Sequence, residues 1–445
     1  MPAVENTRGP GRVPVMVEVA VAAGALADEV FRIARRWKGI DFYPDLDYQP
    51  VRMTPPGEGD SEKAKPQVFL LRGWLDAAQI AALAQQPQVV RVLADTRVEP
   101  FPPPRVDCTT TGTPIGDAAR VAKELGVDWI WAAGFRGEGI VVGVVDAGIT
   151  AYGRPVKVGE RAAIPEPPAV GQVIGGSPGD WGTTAVGWGQ HGNMMAFDIQ
   201  AMAPEAELWD IRIWSPDGGG AAATFSGYVS NAIAGYRMAI DSYRAHGVPH
   251  ILSNSWGVYD STTDPVYTFS PTSPFAHIVE EAMNAGILVL FAAGNCGGGC
   301  PFGIHSQCGA HDRGPGNSIL GPNGHPRVMT VGAATIADEW CGYTSQGPAA
   351  LPPQDSDKPD FCAYTAFDGF FPRADPALRD FDGGTSAATA IAAGVVALLK
   401  QRWPALRQDD ARRILRETAR DIRGRGADTD SGAGIIQAKA AFKWL

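Results

Sequence analysis

Phe381-Asp382-Gly383-Gly384-Thr385-Ser386-Ala387-Ala388-Thr389-Ala390 joins a glycine pair to a serine and runs on into Ile391-Ala392-Ala393-Gly394-Val395-Val396-Ala397-Leu398-Leu399. The run is apolar and small on every face, as in a helix buried all round. Ser386 then stands in the helix's first turn, beside unpaired backbone N–H groups and the positive end of the dipole. That position suits a nucleophile that must form an oxyanion. On its own the pattern reads as an N-cap serine, because Ser and Thr before an apolar run commonly cap.

Upstream of this helix, strands alternate with helices, the signature of a parallel α/β sheet. Ile140–Val145 is a continuous apolar strand of the kind buried on both faces. Further strands are expected at Leu208–Ile213, His250–Ser255, Gly286–Ala293 and Arg327–Ala333. Helices are expected near Tyr228–Ala245, Ala276–Asn284 and Gln408–Asp421, with a short one at the end and a glycine-rich loop at Gly218–Gly220.

The 445 residues suffice for one large domain and one small one. Hydrophobic content of 45% and charged content of 19% describe a globular chain. A net charge of −10 argues against nucleic-acid binding, which needs clustered Lys and Arg. No run of about 18 uncharged apolar residues occurs, so no membrane span is expected. Residues 1–12 lack the charged-then-apolar order of a signal peptide, which gives a cytoplasmic expectation, export by another route aside.

Residues 13–98 read as a small α+β unit: strand Val13–Val19, helix Ala25–Trp37, strand Val68–Trp74, helix Asp76–Gln85 and strand Val89–Leu93, a ferredoxin-like order. The polar stretch Pro55–Pro66 between them is a loop by composition. Glu99-Pro100-Phe101-Pro102-Pro103-Pro104 follows, an extended and exposed linker that sets the domain boundary within 99–115. The second domain is 116–445.

In an open α/β sheet, functional groups collect at the carboxyl ends of the strands. Asp146 ends the first strand, His191 lies in a loop entering Met194–Met202, and Asn295 follows the fourth strand. Each has an ordinary reading, as a turn aspartate, a surface histidine and a turn asparagine. Together with Ser386 they form a chemical set. A serine hydroxyl is a poor nucleophile until histidine takes its proton, a carboxylate fixes the histidine tautomer, and a side-chain amide can donate to an oxyanion.

The surrounding motifs resemble those of the subtilisin-like serine proteases. Gly139–Ile149 resembles that family's aspartate motif, and His191-Gly192 followed by Ala203–Leu208 its histidine block. Ser253-Asn254-Ser255-Trp256-Gly257 is similar to the substrate-binding strand and Ala292-Ala293-Gly294-Asn295 to the oxyanion turn. Thr344–Pro348, Lys358-Pro359-Asp360, Gly384–Thr389 and Gly432–Ala438 follow in family order. The resemblance runs from about Asp128 to the end. It implies an α/β fold with a mostly parallel sheet, helices on both faces and a ferredoxin-like prodomain in front. It implies Ser386 as nucleophile, His191 as base and acid, Asp146 as its orienting group, and Asn295 in the oxyanion hole. Ser253, Asn254, Ser255, Trp256, Gly257, Ala292, Ala293 and Gly294 would hold the substrate backbone and wall its first pocket. The partners implied are a protein or peptide substrate and the chain's own N-terminal unit, as an inhibitory propeptide processed within 99–115.

Departures cluster around the reacting groups. Asn193, Met194 and Met195 stand where the family has threonine, histidine and valine, and Ala387-Ala388-Thr389-Ala390-Ile391 replaces its Met-Ala-Thr-Pro-His. The rival reading is a regulatory pseudoprotease that uses the cleft only for binding. An esterase reading fails on the missing Gly-x-Ser-x-Gly elbow and on chain order. The chemistry requires no cofactor, and no calcium-loop pattern is present. Cys296, Cys300 and Cys308, with His305 or His311, could form a zinc site, although the spacing matches no standard motif. A disulfide within the loop, or free thiols in a cytoplasmic chain, are the other readings.

Overall fold

The computed structural model describes residues 11–53, 66–100, 115–159, 169–217, 224–300, 307–354, 357–371 and 381–444. The strands, in chain order, are β1 (Arg12–Val21), β2 (Tyr43–Pro44), β3 (Val51–Arg52), β4 (Gln67–Asp76), β5 (Val89–Ala94), β6 (Arg97–Pro100), β7 (Val141–Asp146) and β8 (Val173–Ser177). They continue as β9 (Glu207–Arg212), β10 (Trp214–Asp217), β11 (Thr224–Tyr228), β12 (Ile251–Asn254), β13 (Trp256–Gly257), β14 (Leu288–Ala292), β15 (Met329–Ala334) and β16 (Phe361–Tyr364).

Seven strands form a parallel sheet in the order β16-β15-β14-β12-β7-β9-β8. The apolar stretches read from the sequence occupy its middle, where both faces are covered. The edge strand β8, Val173–Ser177, is glycine-containing and only partly apolar, and the other edge, β16, is apolar but only four residues long. One core packs the first face with the helices Val186–Met202 and Gly384–Arg402, and the other packs the opposite face with Val229–His246 and Pro274–Ala285. His191 departs from expectation, because it sits inside the helix Val186–Met202 and not in a loop. The glycines of that segment hid the helix from a propensity reading.

The front unit is a second sheet, β2-β4-β1-β5, with β3 also on β4. β1 runs antiparallel to both β4 and β5. This is the ferredoxin-like order with its outer edge reduced to two short pieces. One face packs on the helix Ala27–Ala34, and Met16, Tyr48, Val51, Met53 and Leu70 share a core with Val229, Ile233 and Tyr236 of the large domain. Asp95 receives the Ser230 N–H at 3.0 Å and its hydroxyl at 2.7 Å, so the front unit caps the helix Val229–His246 in trans.

The segment after the front unit differs from the exposed linker expected at Glu99 and Pro100. β6 is one of the two inner strands of a four-stranded sheet, β10-β11-β6-β13. Val98 and Arg97 pair with Gly227 and Tyr228 on one side, and Pro100 and Glu99 pair with Trp256 and Gly257 on the other. Proline lacks a donor, but the Pro100 carbonyl still accepts the Tyr259 hydroxyl at 3.1 Å. The rest of the expected linker and processing region lies outside the described residues. Among the described residues no helix is long and apolar enough to cross a membrane.

Candidate active site

Asp146 ends β7, and His191 projects toward it from the helix Val186–Met202. Nδ1 of His191 lies 2.9 and 3.0 Å from the two oxygens of Asp146, which is itself buried. An ionised carboxylate can only accept, so Nδ1 carries the hydrogen and Nε2 presents a lone pair. Nε2 is buried without a hydrogen-bond partner. This is the tautomer a general base for a hydroxyl requires.

Local sequence explains how a helix comes this close to the loop after β7. A Cβ at Gly192 would collide with the carbonyl of Gly148. Asn193, where the resemblance expects threonine, locks the same contact: its oxygen accepts the Thr150 N–H at 2.8 Å and its amide donates to the Thr150 hydroxyl at 2.9 Å. Met194 and Met195 are core residues. The departures around His191 therefore serve packing and leave the imidazole in place.

Ser386 is the third residue of the helix Gly384–Arg402, which packs against the histidine helix. A Cβ at Gly394 would come within 2.6 Å of the Ile199 carbonyl. Gly383 is extended and Gly384 takes a left-handed φ of 75°, so the glycine pair turns the chain sharply into the helix. The Ser386 hydroxyl lies 3.4 Å from the Ser255 carbonyl, and the Ser255 hydroxyl donates back to the Ser386 carbonyl at 3.3 Å. Hydrogen bonds between nucleophile and base are commonly loose in unliganded sites and tighten with substrate.

Asn295 follows β14. Its side-chain oxygen accepts the Thr385 N–H at 3.1 Å and the Thr385 hydroxyl at 2.9 Å. That fixes which end of the amide is which, so the NH2 end serves as the donor. Nothing in the sequence marks Thr385 apart from its place beside Ser386.

The residues expected as the substrate strand, 253–257, divide between β12 and β13 on either side of Ser255. Ser253 and Asn254 belong to β12, paired with β7 and β14, so their backbone is committed to the sheet. The Asn254 amide donates to the Leu290 carbonyl at 3.0 Å, a structural tie. Trp256 contributes its backbone alone, because its ring is buried against Trp214, Phe275 and Phe291. Trp256 and Gly257 form β13, whose ladder partner is β6. Ala292, Ala293 and Gly294 are engaged by Asn323, Val331 and Ser345.

The cysteines overturn the zinc reading. Cys296 and Cys308 form a disulfide and Cys300 is disulfide-bonded as well, so these sulfurs are spent as ligands. Cys341 and Cys362 are buried thiols. No group of three or more His, Cys, Asp or Glu among the described residues could hold a metal, and His305 lies outside them. The loop this disulfide closes carries Gln307, whose amide donates to Glu99 of β6 at 2.5 Å. Burial holds the Glu99 carboxyl above its usual value.

The subtilase family model matches residues 137–434. The chain belongs to the subtilase family. Among curated subtilases it is 25% identical over 328 residues to fervidolysin from Fervidobacterium pennivorans, covering 69% of this chain and 41% of that protein's length. It is 25% identical over 310 residues to subtilisin Savinase from Lederbergia lenta, covering 70% and 93%, and 26% identical over 320 residues to subtilisin DY from Bacillus licheniformis, covering 71% and 94%. The crystal structure of fervidolysin, described as a keratinolytic enzyme related to subtilisin, matches with a TM-score of 0.58 at 18% identity, covering 97% of this chain and 61% of that one. That likeness carries the subtilase fold, and it extends across the front unit.

Proposed function

We propose that this subtilase is a serine endopeptidase. Ser386 attacks the scissile carbonyl while His191 takes the hydroxyl proton through Nε2, forming the Oγ–carbon bond. Asp146 holds the imidazolium that results. The Asn295 amide and the Ser386 N–H hold the oxyanion. The tetrahedral intermediate collapses, His191 gives its proton to the leaving amine, and water hydrolyses the acyl-enzyme by the same steps. The observation carrying this reading is the His191 ring, held at Nδ1 by both oxygens of Asp146 with Nε2 unengaged.

The chain is further proposed to be a self-inhibited zymogen. β6 lies antiparallel between β11 and β13, where an extended substrate would add its own strand. No cofactor takes part in the chemistry. The disulfide-bonded Cys296, Cys300 and Cys308 favour an oxidising compartment over the cytoplasm expected from the N-terminus.

Intact masses of the purified chain and of Ser386→Ala test both statements. The active chain should be cut within 99–115 and be labelled at Ser386 by a fluorophosphonate, and the variant should stay whole. Identical masses together with an unlabelled serine would support the pseudoprotease instead.

A further inference from the structure

Two buried carboxyls outside the triad join the elements that carry it. Asp198 lies seven residues after His191, two turns along the same helix face. Asp382 lies four residues before Ser386, in the segment that leads into the nucleophile's helix. Both are fully buried and their side chains are within hydrogen-bond reach of each other. Phe197 packs near Phe370 at the same junction, with ring centroids 6.5 Å apart.

Their surroundings differ. Asp382 accepts the Phe370 N–H at 2.6 Å and the Phe371 N–H at 3.2 Å, and its carboxylate lies where a Cβ on Gly369 would collide with it. Among the described residues no N–H or O–H of a third group reaches either oxygen of Asp198. Two N–H donors stabilise a charged carboxylate, and a carboxyl with no donor is stable in a buried site only when it keeps its proton. The oxygen-to-oxygen contact is a hydrogen bond only if one of the two is protonated.

We propose that Asp198 and Asp382 are positioning residues: one proton, kept on Asp198 and donated to Asp382, clasps the histidine helix to the segment leading into Ser386. Burial pushes Asp382 up to about 6, and burial with the neighbouring Asp382 pushes Asp198 well above the usual carboxyl range. Among the described residues Asp368 adds a further negative charge near Asp382, which also disfavours ionisation. Among the described residues no Lys, Arg or His side chain bonds to either carboxyl. Two bare carboxylates in this contact repel, so loss of the shared proton pushes the two elements apart.

This inference rests on the proposed protease reading for its effect on rate, but not for its effect on stability. In the folded chain the pair holds a proton that the unfolded chain releases at ordinary carboxyl pH. Stability is therefore highest in acid and falls as pH rises through the folded values. One retained proton makes the unfolding constant rise about tenfold per pH unit in that window. Urea unfolding of the full chain in the Ser386→Ala background, from pH 5 to pH 9, reads this slope. D198N and D382N each replace the shared proton with an amide hydrogen, so each should flatten the slope by that factor. The clasp is overturned if both variants keep the parent's slope.

With Ser386 intact, hydrolysis of a small peptide should lose kcat, not KM, on the alkaline side. D198N should extend the profile to higher pH, and D198A should lower kcat throughout. If no form hydrolyses peptide, the protease reading fails while the unfolding slopes still decide the clasp.

Discussion

Thr385 donates twice to one oxygen of Asn295, from its backbone N–H at 3.1 Å and from its hydroxyl at 2.9 Å. The hydroxyl also accepts the Gly294 N–H at 3.2 Å, so one side chain ties the turn at Asn295 to the residue beside Ser386. An oxyanion donor acts through fixed aim, and losing one altogether costs about 10²–10³ in kcat. Thr385→Val keeps the N–H bond and loses the hydroxyl. It should lower kcat by about tenfold with little change in KM, between wild type and Asn295→Ala. Steady-state kinetics on a peptide substrate checks the order, and Thr385→Ser should restore the rate.

Gly192 lets the histidine helix rest on the Gly148 carbonyl. Gly192→Ala should force the helix away from Asp146 and break the Nδ1 contact. Overpacking of this kind costs about 1–3 kcal/mol. Chemical denaturation should show that loss, and activity should fall much further than stability. Equal activity in the two proteins would contradict the packing argument.

Lys358 and Asp360 form a fully buried ion pair at 2.7 Å, and the Lys358 ammonium also donates to the Val328 carbonyl. Asp360 also takes the Thr330 N–H and the Arg412 guanidinium, so it ties β15, β16 and the helix Gln408–Glu417 together. Removing one partner strands a buried charge, which costs about 3–5 kcal/mol. Lys358→Met should lose about that much in urea unfolding. Arg412 still holds Asp360, so the lower end of the range is expected.

Asp95 should make docking of the front unit depend on pH. Burial pushes its carboxyl up to about 6, against Arg72 and the Ser230 hydrogen bonds, which pull it down. Its ordinary value is 3.8, so between these values the docked state holds a proton that the released state does not. Docking is therefore strongest in acid and weakens as pH rises through 6. Hydrogen exchange at Ser230 and along β6 in Ser386→Ala, corrected for intrinsic rates, should show more protection at pH 5 than at pH 7.5. Asp95→Asn should remove the difference.

Much of this fold was legible because its centre is apolar on both faces. β7, β12, β14 and β15 are runs of Val, Ile, Leu and Ala whose burial needs no partner chemistry to be recognised. The edge β8 lacks that signature, and β2, β3 and the apolar β16 are too short to leave a readable one. His191 was placed in a loop because Gly189 and Gly192 lower helix propensity, whereas tertiary packing demands both glycines. As candidates, Asp146, His191, Asn295 and Ser386 stand out as a set through chain order and flanking motifs. Thr385, Asn193 and Asp198 do not, since their roles depend on partners distant in sequence. A charged residue inside the apolar segment Met194–Met202 was the one available signal for Asp198. At the cysteine loop both zinc and a disulfide stay open in the sequence, because spacing alone does not separate thiolate ligands from a disulfide.

β6 fills a gap between β11 and β13, and its removal leaves two facing rows of unpaired N–H and C=O groups. Open strand edges recruit other chains as readily as they recruit substrate. A chain in which β6 left this place without a peptide to replace it would present a sticky slot to its own copies. Clumping should accordingly track the emptiness of this slot, and a short peptide carrying the Arg97–Pro100 sequence should suppress it.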